Sequence, residues 1–262
     1  MSFVQTVILG GLAGVTIYLG LPLGRLTGLS AKTRTFLSMA STGILLFLLF
    51  EVFSHVAEPI EDLLLAAPST PGGYARFGIL LFTFAFGFSL GLFSLIAFER
   101  SFIKSHKTAE LPQSPFRLSL MIAGGIGLHN FSEGLAIGQS SGQVELTLAT
   151  LLVIGFALHN ATEGFGIVGP LAGQRPSWKF LALLGLIGGG PTLVGSMLGY
   201  YFVSPLMFTL SLSVAAGALV YIIGEMFRIN HNSATRAHAA GGLILGLLIA
   251  FSTELILAVA GL

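Results

Sequence analysis

Residues 118–140 read LSLMIAGGIGLHNFSEGLAIGQS, an apolar run of span length with His129, Asn130 and Glu133 near its centre. At a rise of 1.5 Å per residue, about 20 such residues cross the ~30 Å hydrocarbon core of a bilayer. The polar centre then recurs. Residues 129–137 (HNFSEGLAI) and 159–167 (HNATEGFGI) share the pattern His-Asn-x-[Ser/Thr]-Glu-Gly-x-[Ala/Gly]-Ile. Each copy falls near the middle of an apolar stretch, so the two sets of polar groups lie at one depth. Alternating ten-residue strands are absent, which argues for helices and against a β-barrel.

The rest of the chain has the same character. Of 262 residues 54% are apolar and 9% charged, with 12 basic and 11 acidic side chains and a net charge of +1. Soluble domains carry about a quarter charged residues, so this chain cannot cover itself with a water-facing surface. That excludes a soluble enzyme, a disordered chain and a nucleic-acid binder, which needs a basic face. The absence of cysteine excludes disulfides, thiolate metal sites and thiol catalysis. The expected fold is all-α, a polytopic membrane helix bundle forming one transmembrane domain over 1–262. Its eight spans fall at about 3–24, 36–57, 77–98, 118–140, 146–170, 180–202, 206–228 and 239–262. The first span has no basic residue before it and no small-residue cleavage site, so a retained helix is expected there.

Basic residues give the orientation. Arg25, Lys32 and Arg34 follow span 1; Arg100, Lys104, Lys107 and Arg117 follow span 3; Arg175 and Lys179 follow span 5; Arg228 and Arg236 follow span 7. Only Arg76 of the 12 lies on the other side. Both termini are therefore expected outside, with an inside loop at about 99–117 and an outside loop at about 58–76 that holds Glu58, Glu61 and Asp62. Glycine, at 35 residues, recurs at spacings of four in Gly10–Gly14, Gly20–Gly24, Gly87–Gly91, Gly195–Gly199 and Gly242–Gly246. Such spacing lets helix backbones approach closely in lipid.

His129 and Glu133 are i and i+4, stacked on one helix face about 6 Å apart along the axis. His159 and Glu163 repeat this on the next span, with Asn130 and Asn160 one step round. A carboxylate at the centre of a membrane helix costs at least ~2.5 kcal/mol, and two side by side repel. Shared protons or a divalent cation would relieve both costs. His with Glu suits borderline metals and, without thiolates, argues against a dedicated Cu(I) carrier. A plain polar network holding two helices together is the bland alternative, disfavoured by the duplication at matched depth. No basic residue lies within a span to pair with these acids.

The motif and its setting resemble the ZRT/IRT-like protein (ZIP) family of divalent metal transporters. The resemblance implies eight spans, both termini outside, inverted pseudo-repeats of spans 1–3 and 6–8 around spans 4–5, and a transport site made of His129, Asn130, Glu133, His159, Asn160 and Glu163. It further implies a two-bundle mechanism in which the metal-carrying bundle slides past a fixed one. Two positions depart from the family. Its proline is Ser132 in one copy and Thr162 in the other, where a hydroxyl bonded to the preceding turn would bend the helix mildly. Span 6 has Gly190-Pro191 where relatives with two metals place a glutamate, which weakens the case for a second, bridged metal.

Glu51 and His55, again i and i+4 in span 2, are expected to complete the site or its approach, with Glu58, Glu61 and Asp62 drawing cations inward. Glu225 and Glu254 are further acids within spans; Glu225 is expected to pair with Arg228, while Glu254 is a candidate for a proton relay or an entrance. The expected function is transport of a zinc-like cation into the cytoplasm, with Fe²⁺, Mn²⁺, Co²⁺ and Cd²⁺ also compatible. The alternatives are an intramembrane metal-dependent enzyme and a channel or exporter using the same ligands. No His-Glu-x-x-His occurs and the symmetric cradle has no spare general base, so no enzyme activity is expected. No prosthetic group is expected. The partners are metal cations and lipid, not nucleic acid, with a homodimer left open; the prokaryotic plasma (inner) membrane is the expected location.

Overall fold

The structure, a computed structural model, describes residues 2–105, 115–140, 159–202, 204–231 and 233–259. These form α1 (Phe3–Val15), α2 (Ala31–Ala66), α3 (Gly73–Ser105), α4 (Pro115–Ser140), α5 (159–168), α6 (Trp178–Tyr201), α7 (Pro205–Ile229) and α8 (Arg236–Val259), with no strand among the described residues. Short 3₁₀ turns continue α1 as far as Arg25. Side-chain caps set the helix starts. Ser2 and Gln5 form a reciprocal capping box, while Ser30, Ser177 and Ser204 accept from the backbones of Thr33, Phe180 and Met207. Each hydroxyl satisfies an amide that the first turn leaves without a partner.

Six of the described helices are long and apolar enough to cross a membrane: α1 with its extension, α2, α3, α6, α7 and α8. The 26-residue α4 has the length, but His129, Asn130, Ser132 and Glu133 lower its hydropathy. The described part of α5 covers 159–168, and residues 146–158 of the expected fifth span lie outside the described residues. So does the short connection expected between spans 4 and 5.

Some helices run on past the bilayer length. α2 continues through Pro59 to Ala66, so Glu58, Glu61 and Asp62 stand on its C-terminal turns and not in a loop. A proline interrupts one backbone hydrogen bond, yet the helix goes on around it. At the opposite end α3 extends to Ser105 and α4 begins at Pro115, which puts Arg117 in the first turn of α4.

Glycine sorts the helices into two groups. A Cβ on Gly195 would strike the α4 backbone at Phe131 and Leu135, and one on Gly134 would strike α6 at Thr192 and Ser196. Comparable backbone approaches join α1 to α6 (Gly14 and Gly189), α1 to α5 (Gly20 and Gly164), α2 to α8 (Gly43 and Gly246) and α3 to α7 (Gly91 and Gly217). At every such close approach between described helices, both belong either to α1, α4, α5 and α6, called here the site-bearing group, or to α2, α3, α7 and α8, the flanking group. All five glycine pairs singled out by their spacing lie at these crossings.

Between the groups the contacts are made by side chains. Ile222 of α7 covers Gly125 of α4, the Ser132 hydroxyl lies 2.8 Å from that of Ser211, and the Ser41 hydroxyl donates to the Gly166 carbonyl at 2.5 Å. Leu45, Leu48, Ile122, Ile126, Leu219 and Ile222 fill the space between. The outer faces of α3 and α8 expose Phe82, Phe86, Phe93, Leu248 and Phe251. Water would not tolerate such a surface, whereas hydrocarbon does. The protein is an integral membrane protein built entirely, among the described residues, of helices.

These crossings give a stability test. Gly195→Ala should lower the thermal midpoint of the detergent-purified protein by the equivalent of about 1–3 kcal/mol, because the methyl meets backbone that cannot yield. Gly78→Ala, at a position with nothing within 4 Å, should leave it unchanged or slightly raised. Equal midpoints for the two variants would contradict the backbone packing described.

Candidate metal centre

α4 and α5 bring their duplicated residues together halfway along the bundle. His129 Nε2 lies 3.5 Å from Glu133 Oε1 and 3.7 Å from Glu163 Oε1. His159 Nε2 lies 3.5 Å from Glu133 Oε1 and 3.6 Å from Glu163 Oε1. The imidazole rings are 6.1 Å apart between centroids. All four side chains are buried or nearly so, from 1% exposed at Glu163 to 13% at Glu133. The i,i+4 spacing supplies each His–Glu pair within a helix, and the meeting of the two helices supplies the crossed pairs.

Separations of 3.5–3.7 Å exceed those of a hydrogen bond. Ligands about 2.1 Å from a common tetrahedral metal stand about 3.4 Å from one another. Each His–Glu separation is therefore close to that between neighbouring donors on one cation. Consistently, His129 Nδ1 and Nε2, His159 Nε2, both oxygens of Glu163, Glu133 Oε2 and Glu51 Oε2 are buried without hydrogen-bond partners. Such groups are costly to leave bare, and a divalent cation would engage several of them together.

Glu51 joins from α2. One ligand atom each of Glu51, His129, Glu133 and His159 lies within 4.8 Å of the other three. The flanking group thus contributes one donor to a cluster otherwise carried by the site-bearing group. His55, one turn outward on α2, does not join this cluster; with Glu58 and Asp62 it lines a cavity of about 390 Å³ closed on the other side by Ser204, Pro205 and Thr209.

The asparagines act first as struts. The Asn130 amide donates to the Gly188 carbonyl of α6 at 3.1 Å and the Asn160 amide to the Ala13 carbonyl of α1 at 2.6 Å, leaving each Oδ1 buried without a hydrogen bond. The two hydroxyls at the family's proline positions bond as expected. Ser132 donates to the Leu128 carbonyl at 3.3 Å and Thr162 to the His159 carbonyl at 2.7 Å, and α4 is continuous through Ser132. The carbonyl struts of Ala13 and Gly188 and the Ser211 partner of Ser132 escaped sequence reasoning; a carbonyl acceptor has no residue-type signature.

The remaining acids stand apart. Glu225 pairs with Arg228 at 2.8 Å near the C-terminal end of α7, as its spacing implies. Glu254 is half-buried on α8, outside the cluster. His231 and His238 do not join the cluster, and His106 falls outside the described residues.

Residues 99–224 match the family model described as ZIP Zinc transporter. The chain is 33% identical over 138 residues to zinc transporter ZupT of Chlorobium chlorochromatii (strain CaD3), an alignment covering 51% of each chain. It is 31% identical over 133 residues to zinc transporter GufA of Myxococcus xanthus, covering 49% of this chain and 52% of that one. The chain spans about half the length of the curated relatives it matches. The matched region contains both His-Asn-x-[Ser/Thr]-Glu-Gly copies, and over it the chain is similar to the ZIP family of zinc transporters.

Proposed function

We propose that this protein carries divalent transition-metal cations, zinc foremost, across a prokaryotic plasma membrane into the cytoplasm. The observation that carries the reading is the set of two imidazoles and two carboxylates at 3.5–3.7 Å, buried and without a basic partner. Eight spans place both termini outside, the basic residues inside and the acids of α2 at the outer mouth. His129, Glu133, His159, Glu163 and Glu51 are the ligands; Asn130 and Asn160 orient them and offer their carbonyl oxygens; His55 receives the ion from the outer cavity. The same nitrogen and oxygen donors accept Fe²⁺, Mn²⁺, Co²⁺ and Cd²⁺. No covalent step is needed, which fits the names of both relatives.

In mechanism, the cation exchanges water for these donors. Glu133 and Glu163 supply two negative charges that match its own, and the imidazoles add neutral donors that hold it without over-binding. Release requires the donors to separate or to be rehydrated. Glu51 stands on the other helix group, so a shift of the site-bearing group removes one ligand and loosens the rest.

Purified protein in liposomes should take up Zn²⁺, and Glu133→Ala with Glu163→Ala should abolish uptake while the protein still purifies as a folded species. Glu51→Gln should weaken zinc binding measured by calorimetry by about 10–100-fold. No zinc movement by the unaltered protein, or full uptake by the double variant, would overturn the reading.

The outer cavity gives a separate expectation. Glu58→Gln with Asp62→Asn should lower the initial uptake rate several-fold at low ionic strength, and by less at high salt, where screening already weakens steering. Zinc affinity at the central cluster should be unchanged. A rate loss independent of salt would count against steering by these acids.

A further inference from the structure

A second polar cluster lies at the inner end of the bundle. Arg117, in the first turn of α4, meets Glu99 of α3 at 2.9 Å, with side chains 9% and 20% exposed. Tyr221 of α7 donates its phenolic hydrogen to the other oxygen of the same carboxylate. Sequence reading placed Arg117 among the orientation-setting loop charges and singled out neither Glu99 nor Tyr221.

The arrangement is asymmetric. Glu99 and Tyr221 both belong to the flanking group, so the tyrosine fixes the carboxylate within that group. Arg117 reaches it from the site-bearing group and crosses the seam. It also stands on the same unbroken helix as His129 and Glu133, about 18 and 24 Å along the axis. A displacement of α4 that carries the metal ligands therefore carries Arg117 with it. Two hydroxyl links across the seam, Ser132 with Ser211 and Ser41 with the Gly166 carbonyl, are by contrast neutral. A guanidinium–carboxylate contact is directional and charge-assisted, and pulling it apart in place leaves two desolvated charges.

We propose that Glu99, Arg117 and Tyr221 form a latch across the inner seam, which holds α4 in its present register against α3 and α7 and opens during the transport cycle. This rests on the transport reading. The three are positioning residues: none touches the cation, and they act on the equilibrium between registers of the site-bearing group. Opening requires water to reach the inner end of the seam and hydrate both charges, which coincides with what an inward-facing site needs.

The chain contains no cysteine, so one introduced thiol is a clean reporter. Ser211→Cys places it in the seam, opposite Ser132. In proteoliposomes, Arg117→Met and Glu99→Gln in this background should each raise the rate of maleimide labelling about fivefold or more. Each should also change the maximal zinc uptake rate while the half-saturating zinc concentration stays within about twofold. Tyr221→Phe, which removes a single oxygen and keeps the packing, should act in the same direction by less. The exchange Glu99→Arg with Arg117→Glu should return labelling towards the rate of the parent. Unchanged labelling in Tyr221→Phe together with either charge variant would overturn the latch, and so would a shift in half-saturation with the maximal rate intact. If the parent moved no zinc, the transport reading would fail, while the labelling rates would still decide the latch.

Discussion

Two carboxylates held beside two imidazoles, out of reach of water, set the terms for the rest of this molecule. Glu133 and Glu163 face one another across His129 and His159, and no lysine or arginine among the described residues forms an ion pair with them. A bare carboxylate in low dielectric costs several kcal/mol even after relaxation, so the fold must supply a compensating partner and keep lipid away until it arrives. It does the second by wrapping α4 and α5 with α1, α6 and the buried face of α2. Asn160 is tied to α1 and Asn130 to α6 through backbone carbonyls. These ties fix the helix faces on which the ligands stand, and the glycine crossings of α4 with α6 and of α1 with α5 bring those helices close enough for the ties to form.

The same crossings divide the bundle. Backbone-to-backbone contact through glycine is tight, short-ranged and intolerant of sliding, since a small translation puts a side chain where only hydrogen fits. Side-chain contact across Leu, Ile and Ser surfaces has alternative packings of similar energy, which is what shear motion between helices requires. The tightest backbone contacts therefore lie within the site-bearing group and within the flanking group, with the side-chain surface between them. The buried His–Glu cluster lies on that surface, because Glu51 comes from the flanking group whereas His129, Glu133, His159 and Glu163 do not. On the proposed transport reading, a ligand set spanning this seam would couple cation occupancy to the relative position of the two groups.

Much of this was written in the sequence, for reasons that can be named. The i,i+4 spacing of His129 with Glu133 and of His159 with Glu163 is a statement about one helix face, and local geometry carries it directly into the structure. Glycines four apart likewise specify a packing face, and all five pairs found one. Which helices those faces meet was not legible, because partner choice depends on long-range packing that spacing does not encode. The length of α2 was also missed. Hydropathy ends a span where charge begins, at Glu58, whereas backbone hydrogen bonding continues until Ala66. Arg117 was misjudged for the same reason: a basic residue beside a loop marks orientation, yet its guanidinium turned inward to Glu99. Sequence gives the charge of an end but not the direction in which a long side chain reaches.

The replacement of the family proline brings these points together. Proline in the fourth position of the motif would break the ladder of α4 beside its ligands and free a carbonyl there. Ser132 leaves α4 continuous, so His129 and Glu133 keep the fixed separation of a regular helix and their donor atoms are held ready without a flexible joint. The serine does more than avoid a kink, because its hydroxyl reaches Ser211 across the seam while also contacting the preceding turn. A residue one position from Glu133 thereby links the metal ligand's own turn to the flanking group. Thr162 spends its hydroxyl within α5, on the His159 carbonyl. The two copies of the motif are alike in the atoms they offer a cation and different in how they are tied. One copy meets the seam through the Ser132 side chain and the other through the Gly166 backbone, whose carbonyl accepts from Ser41. A shift between the groups therefore acts on the turn of Glu133 in α4 and three residues beyond Glu163 in α5.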